Sequence, residues 1–320
     1  MSHYTHLTTD ERENAMIMLT EGFSFRAIAR KLKRSPSTIS REIKRNAKKN
    51  GEYSANHAQE LCHHRRKECG PSYIFADPEA AEYVIQRIKM KWTPEQIAGR
   101  AKSEKYHTTF SFVTIYRAIA HRVLPISLHR EMRFKSKRKS HKPYDKRGKI
   151  QDTISIRERP SFVENRKSIG HWESDTVLGQ RKTGVIGTHV ERKTGFLIAF
   201  KLDDRTDNAF NRATIAALST IPPKYKKSLT VDHGTEFIHH KDLATQTNMK
   251  IYFCDTYSPW QRGTNENTNG LLRQFFPKGT SFYSITQESL DYVVSLINNR
   301  PRKRLGWRSP QEVFLENFYS

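Results

Sequence analysis

Apolar residues in the first part of the chain fall at helical spacing, in two separate groups of three segments. Thr8-x-x-Glu11 is a capping box and predicts a helix from about Asp10 to Glu21, stopped by Gly22. Ser24 is placed to cap a second helix, in which Phe25, Ile28, Ala29 and Leu32 share one face. Ser35 caps a third, with Pro36 at its first position, where a missing N–H costs nothing. Ile39 and Ile43 anchor that helix inward, leaving Ser37, Thr38, Arg41, Lys44 and Arg45 outward or at the rim. Two helices joined by a tight turn, the second polar and basic outside, form the helix-turn-helix pattern. In the second group, Ala81, Val84, Ile85 and Ile88 line a helix from Pro78 to Lys89. Thr93-Pro94-Glu95-Gln96 starts a short helix, and Phe112, Ile115, Tyr116 and Ile119 line another. Thr114 and Arg117 fall on its outer side, where the module either reads DNA or serves dimerisation or packing.

Beyond about residue 160 the period changes to two. Residues 169–178 alternate, with His171, Glu173 and Asp175 on one face and Trp172, Ser174 and Thr176 on the other. Residues 184–190 and 196–202 follow as strands around a turn, which makes an antiparallel meander. A helix over 208–218, a strand over 228–231, a helix over 240–247 and a strand over 251–254 come next. Helices over 263–275 and 287–299 and a last one from Pro310 complete the chain. This order fits a mixed sheet with helices on its faces.

Charge sharpens the picture. The 320 residues include 56 Lys+Arg against 33 Asp+Glu, a net charge of +23. Such an excess points to a polyanion, usually nucleic acid, although ribosomal attachment or anionic lipid also accounts for it. The stretch Arg130–Lys149, with Arg138 and Lys139 at its centre, has ten Lys or Arg and almost no aliphatic residues. It reads as a tether when free and as a phosphate-contacting arm on DNA. No apolar run is long enough for a membrane span and no export signal is apparent at the N-terminus. Cys62, Cys69 and Cys254 make an odd count that fits a reducing compartment. The spacing of Cys62 and Cys69 does not match a structural zinc site.

Three acids stand out by placement. Asp175 lies within the first central-looking strand, Asp232 at the end of a short strand, and Glu266 near the start of the 263–275 helix. Singly, each reads as an ordinary surface, turn or capping acid. The element order resembles a sheet of the ribonuclease-H type, and that resemblance brings the three together. Clustered carboxylates call for a cation, and oxygen ligands suit Mg²⁺, with Mn²⁺ as a substitute. Two ions roughly 3.5–4 Å apart serve phosphodiester hydrolysis or transfer. Arg262 is a candidate to hold a phosphate near the cut, and Trp260 to stack on a base or brace the loop. Glu173 shares the face of Asp175, either shaping metal affinity or lying at the core edge. Arg300, Arg302, Lys303 and Arg304 form a basic cluster suited to phosphate contact.

Several blocks carry a family resemblance. They are Gly170-His171-Trp172-Glu173-Ser174-Asp175, Thr230-Val231-Asp232-His233-Gly234-Thr235-Glu236-Phe237, and Tyr257 through Gly270 around Glu266. With the opening Leu7-Thr8-x-x-Glu11-Arg12, Ser37–Glu42 and the tail Asn299–Lys303, the chain resembles DDE-type bacterial insertion-sequence transposases, specifically the insertion sequence thirty family. Ser174 departs from the glycine usual there. The resemblance implies a multidomain protein. Residues 1–50 would be a helix-turn-helix DNA-binding domain, 71–125 a second helical domain and 126–160 a basic linker. Residues 161–320 would be an α/β ribonuclease-H-like catalytic domain with a mixed five-stranded sheet. It implies that Asp175, Asp232 and Glu266 bind Mg²⁺, with terminal inverted repeats and target DNA as partners. It also implies a homodimer or higher oligomer, working in the cytoplasm at the nucleoid. A DNA-binding repressor with an inactive back domain, or a metal-dependent nuclease, are the rival readings.

Overall fold

In the computed structural model the serine and threonine caps sit where the sequence places them. The structure describes residues 6–48, 50–68, 74–124, 150–180, 183–202, 204 and 206–319. Contacts divide the chain into two units, Met1–Ala76 and Asp77–Ser320.

In the first unit, Thr8 and Glu11 close a capping box on α1 (Thr9–Thr20), Ser24 caps α2 (Phe25–Lys31) and Ser35 caps α3 (Pro36–Asn46). Ile28, Ala29, Ile39 and Ile43 meet Leu7 and Ala15 in a small core. Arg12 pairs with Glu42 at 2.7 Å, both buried, and ties α1 to α3. A fourth helix, α4 (Ala55–Glu68), packs on α1. No apolar stripe announces it. Among its described side chains only Ala55 and Ala58 are buried, and polar contacts such as Arg12 to Gln59 help hold it.

The second unit contains α5 (Pro78–Lys89), α6 (Pro94–Ser103) and α7 (Phe112–Ala120), then the sheet. β2 (His171–Leu178), β3 (Val185–Glu191) and β4 (Leu197–Leu202) form the expected antiparallel meander. α8 (Asp207–Ser219) leads to β5 (Ser228–Val231), which runs parallel to β2, and α9 (His240–Thr247) leads to β6 (Lys250–Phe253), parallel to β5. With β1 (Ile154–Ser155), the described residues form a sheet of six strands in the order β1-β6-β5-β2-β3-β4, not the five expected. The sixth, β1, pairs with β6 and at two residues is too short for periodicity to reveal.

β2 is central, so side chains on both its faces are covered. Trp172 joins Phe210, Leu218 and Leu243 of α8 and α9 on one side. Val177 joins Leu271 and Leu272 of α10 (Gly263–Phe275) and Leu290 of α11 (Gln287–Asn298) on the other. Burying these large side chains stabilises the layers by roughly 1.5–3 kcal/mol each.

The α5–α7 helices share a unit with the sheet, and residues 154–159 of the expected linker are folded into it. Arg100 of α6 makes a two-pronged pair with Glu312 of α12 (Pro310–Tyr319) at 2.8 and 2.6 Å. A Cβ on Gly99 would come within 2.3 Å of the Trp307 ring, so only glycine permits that contact. Two members of the basic cluster after α11 also reach α6. Arg300 donates to Gln96 and Gln274, and Lys303 pairs with Glu95.

Candidate active site

Asp175 enters the site from the middle of β2, where its side chain is half-buried. Its Oδ1 accepts the Thr176 N–H at 2.9 Å, and its Oδ2 accepts Asn269 Nδ2 of α10 at 3.1 Å. Burial raises its pKa, the Arg262 guanidinium pulls it back down, and the Asp232 charge raises it further. Asp232 leaves the end of β5, where the sheet stops and the chain must turn. Its Oδ1 accepts the Gly234 N–H at 2.8 Å, which fixes the carboxylate over the turn.

Arg262 lies between the two acids. Its guanidinium is 3.2 Å from Asp175 Oδ1 and 2.9 Å from Asp232 Oδ2, and it donates to the Ser174 carbonyl at 2.9 Å. Its side chain is only 12% exposed. The residue expected to reach for phosphate is thus turned inward and pairs with both carboxylates, its single charge offsetting one of their two. Glu266 is exposed in the first turn of α10. Three positions on in the same helix stands Asn269, which binds Asp175, so Glu266 leaves α10 on a neighbouring side. Among the described residues, no group of three or more His, Cys, Asp or Glu side chains is already arranged to hold a metal ion.

α10 is fastened to the strands by amide side chains. Asn265, fully buried, donates to the Glu173 carbonyl at 3.0 Å, and the Thr188 hydroxyl of β3 lies 3.1 Å from Asn269 Oδ1. Glu173 is wholly buried, with one oxygen on Arg192 at 2.5 Å and the other on the Asn265 N–H at 2.8 Å. Glu236, also buried, accepts the Thr176 hydroxyl at 2.8 Å. A Cβ on Gly234 would meet Glu236 and Asp232 oxygens at 2.3 and 2.9 Å, so a side chain there would push both carboxylates from their places. A cavity of about 590 Å³ opens beside Asp232, walled by Phe253, Asp255, Tyr257 and Arg262. Trp260 stands nearby, 72% exposed.

The sequence pattern does not single out Thr188, Arg192, Arg159 and Glu164, because apart from the local Arg159–Glu164 pair their partners lie 13 or more positions away. Only the shared face of Glu173 and Asp175 pointed toward them. Of the expected DNA contacts, Ser37, Arg41, Lys44 and Arg45 are exposed on α3, while Thr38 is half-buried with its hydroxyl 2.7 Å from Ser35 Oγ. Arg117 is exposed on α7, and Thr114 is half-buried against Ser111 Oγ at 3.0 Å. Arg138 and Lys139 lie outside the described residues. No described helix is long and apolar enough to cross a membrane.

Residues 3–46 match a helix-turn-helix domain family. The chain is 39% identical, over 96% of its length and 83% of the relative, to the transposase InsI for insertion sequence element IS30C of Escherichia coli K12. It is 38% identical, over 98% of its length and 95% of the relative, to the transposase for insertion sequence element IS1086 of Cupriavidus metallidurans. A solved catalytic core domain of BIV integrase aligns with 47% of the chain and 96% of its own, at 18% identity and a TM-score of 0.38.

Proposed function

The chain belongs to the IS30 family of insertion-sequence transposases, and on that premise we propose that Asp175, Asp232 and Glu266 are the acids with which it cuts and joins DNA strands. One observation carries the reading: Asp175 and Asp232, from different strands, hold a single guanidinium between them. Their oxygens already converge on one positive charge. That donor set fits a divalent cation, Mg²⁺ or Mn²⁺, to which Glu266 would add the third carboxylate. What bound divalent cations supply is positive charge against the attacking and leaving oxygens of a phosphodiester.

The protein's own groups prepare that reaction. Asn269 and the Thr176 N–H aim the Asp175 carboxylate, and the Gly234 N–H aims Asp232. Arg262 keeps the two acids together before DNA arrives. Displaced from between them, its guanidinium would be free to meet the scissile phosphate. Hydrolysis breaks the P–O3′ bond and leaves a 3′-hydroxyl and a 5′-phosphate. In transfer, that hydroxyl forms a new bond to a target phosphorus as the target's own 3′ oxygen departs.

The helix-turn-helix of residues 3–46 would recognise the terminal inverted repeats through α3. A dimer or higher assembly would bring two ends together. The test is a labelled duplex carrying the element's ends, incubated with Mg²⁺ or Mn²⁺ and with wild type or Asp232→Asn. Fragments with 3′-hydroxyl ends that disappear in the variant, while duplex binding persists, support the proposal. Binding without cleavage in either metal would favour a repressor.

A further inference from the structure

A line of buried charge runs behind the three acids. Glu173 and Thr230 face each other across β2 and β5. Asp175 and Asp232 lie two positions further along their respective chains, one repeat of a pleated strand. Asn265 immediately precedes Glu266. Each of these three neighbours is gripped by the same network. Glu173 accepts Arg192 Nη1 at 2.5 Å and the Asn265 N–H at 2.8 Å. Arg192 Nη2 reaches Glu164 at 2.9 Å, Glu164 accepts Arg159, and Arg159 Nη1 reaches the Thr230 hydroxyl at 2.7 Å.

The contact to Asn265 fills a particular need. α10 starts without a side-chain cap from the preceding residue, Arg262. The first N–H groups of a helix lack partners within it, and a carboxylate is favoured there. Glu173 supplies that carboxylate from a neighbouring strand. The two glutamates and two arginines balance in charge, and Glu173, Arg192 and Arg159 are buried, with only Glu164 substantially exposed at 61%. Ion pairs of this kind contribute little net stability compared with apolar packing. What they add is a fixed arrangement of the elements they join.

We propose that Glu173, Arg192, Glu164 and Arg159 are positioning residues that set the spacing of Asp175, Asp232 and Glu266, and so the affinity of the site for its cation. The proposal rests on the reading of those three acids as the cation site. It is tested by calorimetric titration of the full-length protein with Mn²⁺ in the absence of DNA, beside a duplex-binding assay and a melting curve. Glu173→Gln keeps the shape and removes the charge, Arg192→Lys keeps the charge and removes the paired donors, and Glu164→Gln alters the exposed link.

Glu173→Gln and Arg192→Lys are expected to weaken Mn²⁺ binding roughly tenfold or more, the range for residues that orient metal ligands. Glu164→Gln weakens it severalfold, and duplex affinity changes less than twofold in all three. A Glu173→Gln protein that melts lower but binds Mn²⁺ like wild type would show a purely structural role and overturn the proposal. If that variant does not fold, wild-type Mn²⁺ affinity in Glu164→Gln overturns it instead. Asp232→Asn in the same titration separates the two ideas. Undiminished Mn²⁺ binding there removes the acid site and the network together. Loss there, with the network variants unaffected, removes the network alone.

Discussion

Replacing Arg262 by alanine is expected to destabilise the metal-free protein and to tighten its hold on Mn²⁺. The guanidinium spans Asp175 and Asp232 at 3.2 and 2.9 Å and also donates to the Ser174 carbonyl. Breaking a fully buried ion pair costs about 3–5 kcal/mol. Asp175 and Asp232 are 26% and 34% exposed, so solvent screens part of this. A loss of about 1–3 kcal/mol is the discounted figure, and in a domain of this size it lowers Tm by roughly 2–4 °C per kcal/mol. The same interactions oppose entry of a cation in the wild type. Removing them should tighten Mn²⁺ binding by about one decade per 1.4 kcal/mol. Scanning calorimetry with and without Mn²⁺ reads both effects, with a lower Tm for metal-free Arg262→Ala and a larger rise on adding Mn²⁺. Cleavage falls in the same variant, because the group that would meet the phosphate is gone. A variant that melts like wild type and gains no more from Mn²⁺ would refute the idea that this guanidinium stands in the cation's place.

The other expectations are independent of that one. His189 and His171 are buried, and burial foremost pushes their imidazoles down to about 3 and about 4 from a usual value of 6.5. The unfolded chain takes these protons first, so their contribution is intact above about pH 6.5 and is lost as pH falls toward 4. At pH 5 the loss amounts to about 2 kcal/mol each, and urea midpoints should decline less in His189→Gln than in wild type. Equal declines would contradict this. Arg100→Ala should loosen α6 from α12, which hydrogen exchange of residues 94–103 would register as faster exchange, with the β2 amides unchanged; uniform exchange would argue against that anchor. Arg41→Ala, on the exposed face of α3, should weaken duplex binding. If Arg41 meets a phosphate, the slope against salt falls by about one; if it reads a base, the loss depends on sequence.

Much of this architecture was legible locally. Thr8 with Glu11, Ser24, Ser35 and Thr93 with Gln96 mark helix starts because capping is settled within four residues. The alternation over 171–178 placed Asp175 and Glu173 on one face, and both indeed look toward α10. Elsewhere local pattern carried too little. α4 has a small, polar-flanked contact face, and β1 spans only Ile154 and Ser155. Arg300 and Lys303 read as a basic run suited to phosphate, yet their partners are Gln96, Gln274 and Glu95 within the same unit. Arg192 binds Glu164 and Glu173, and Arg159 binds Thr230, across gaps that no periodicity spans. Arg262 was recognised as functional, but its direction depended on two acids that only the folded sheet brings together.

Glu266 and Glu236 provide the most direct test of the account, since one glutamate follows Asp232 by four positions and the other opens the helix whose Asn269 binds Asp175. Glu236 is buried on Thr176, whereas Glu266 is exposed at the start of α10. Cleavage of the labelled element ends would be compared in Glu266→Gln and Glu236→Gln, with duplex binding measured alongside. The account predicts that Glu266→Gln binds the duplex but yields no 3′-hydroxyl fragments, and that Glu236→Gln still cuts. Cleavage that survives in Glu266→Gln and vanishes in Glu236→Gln would assign the third carboxylate to the buried glutamate and contradict the account.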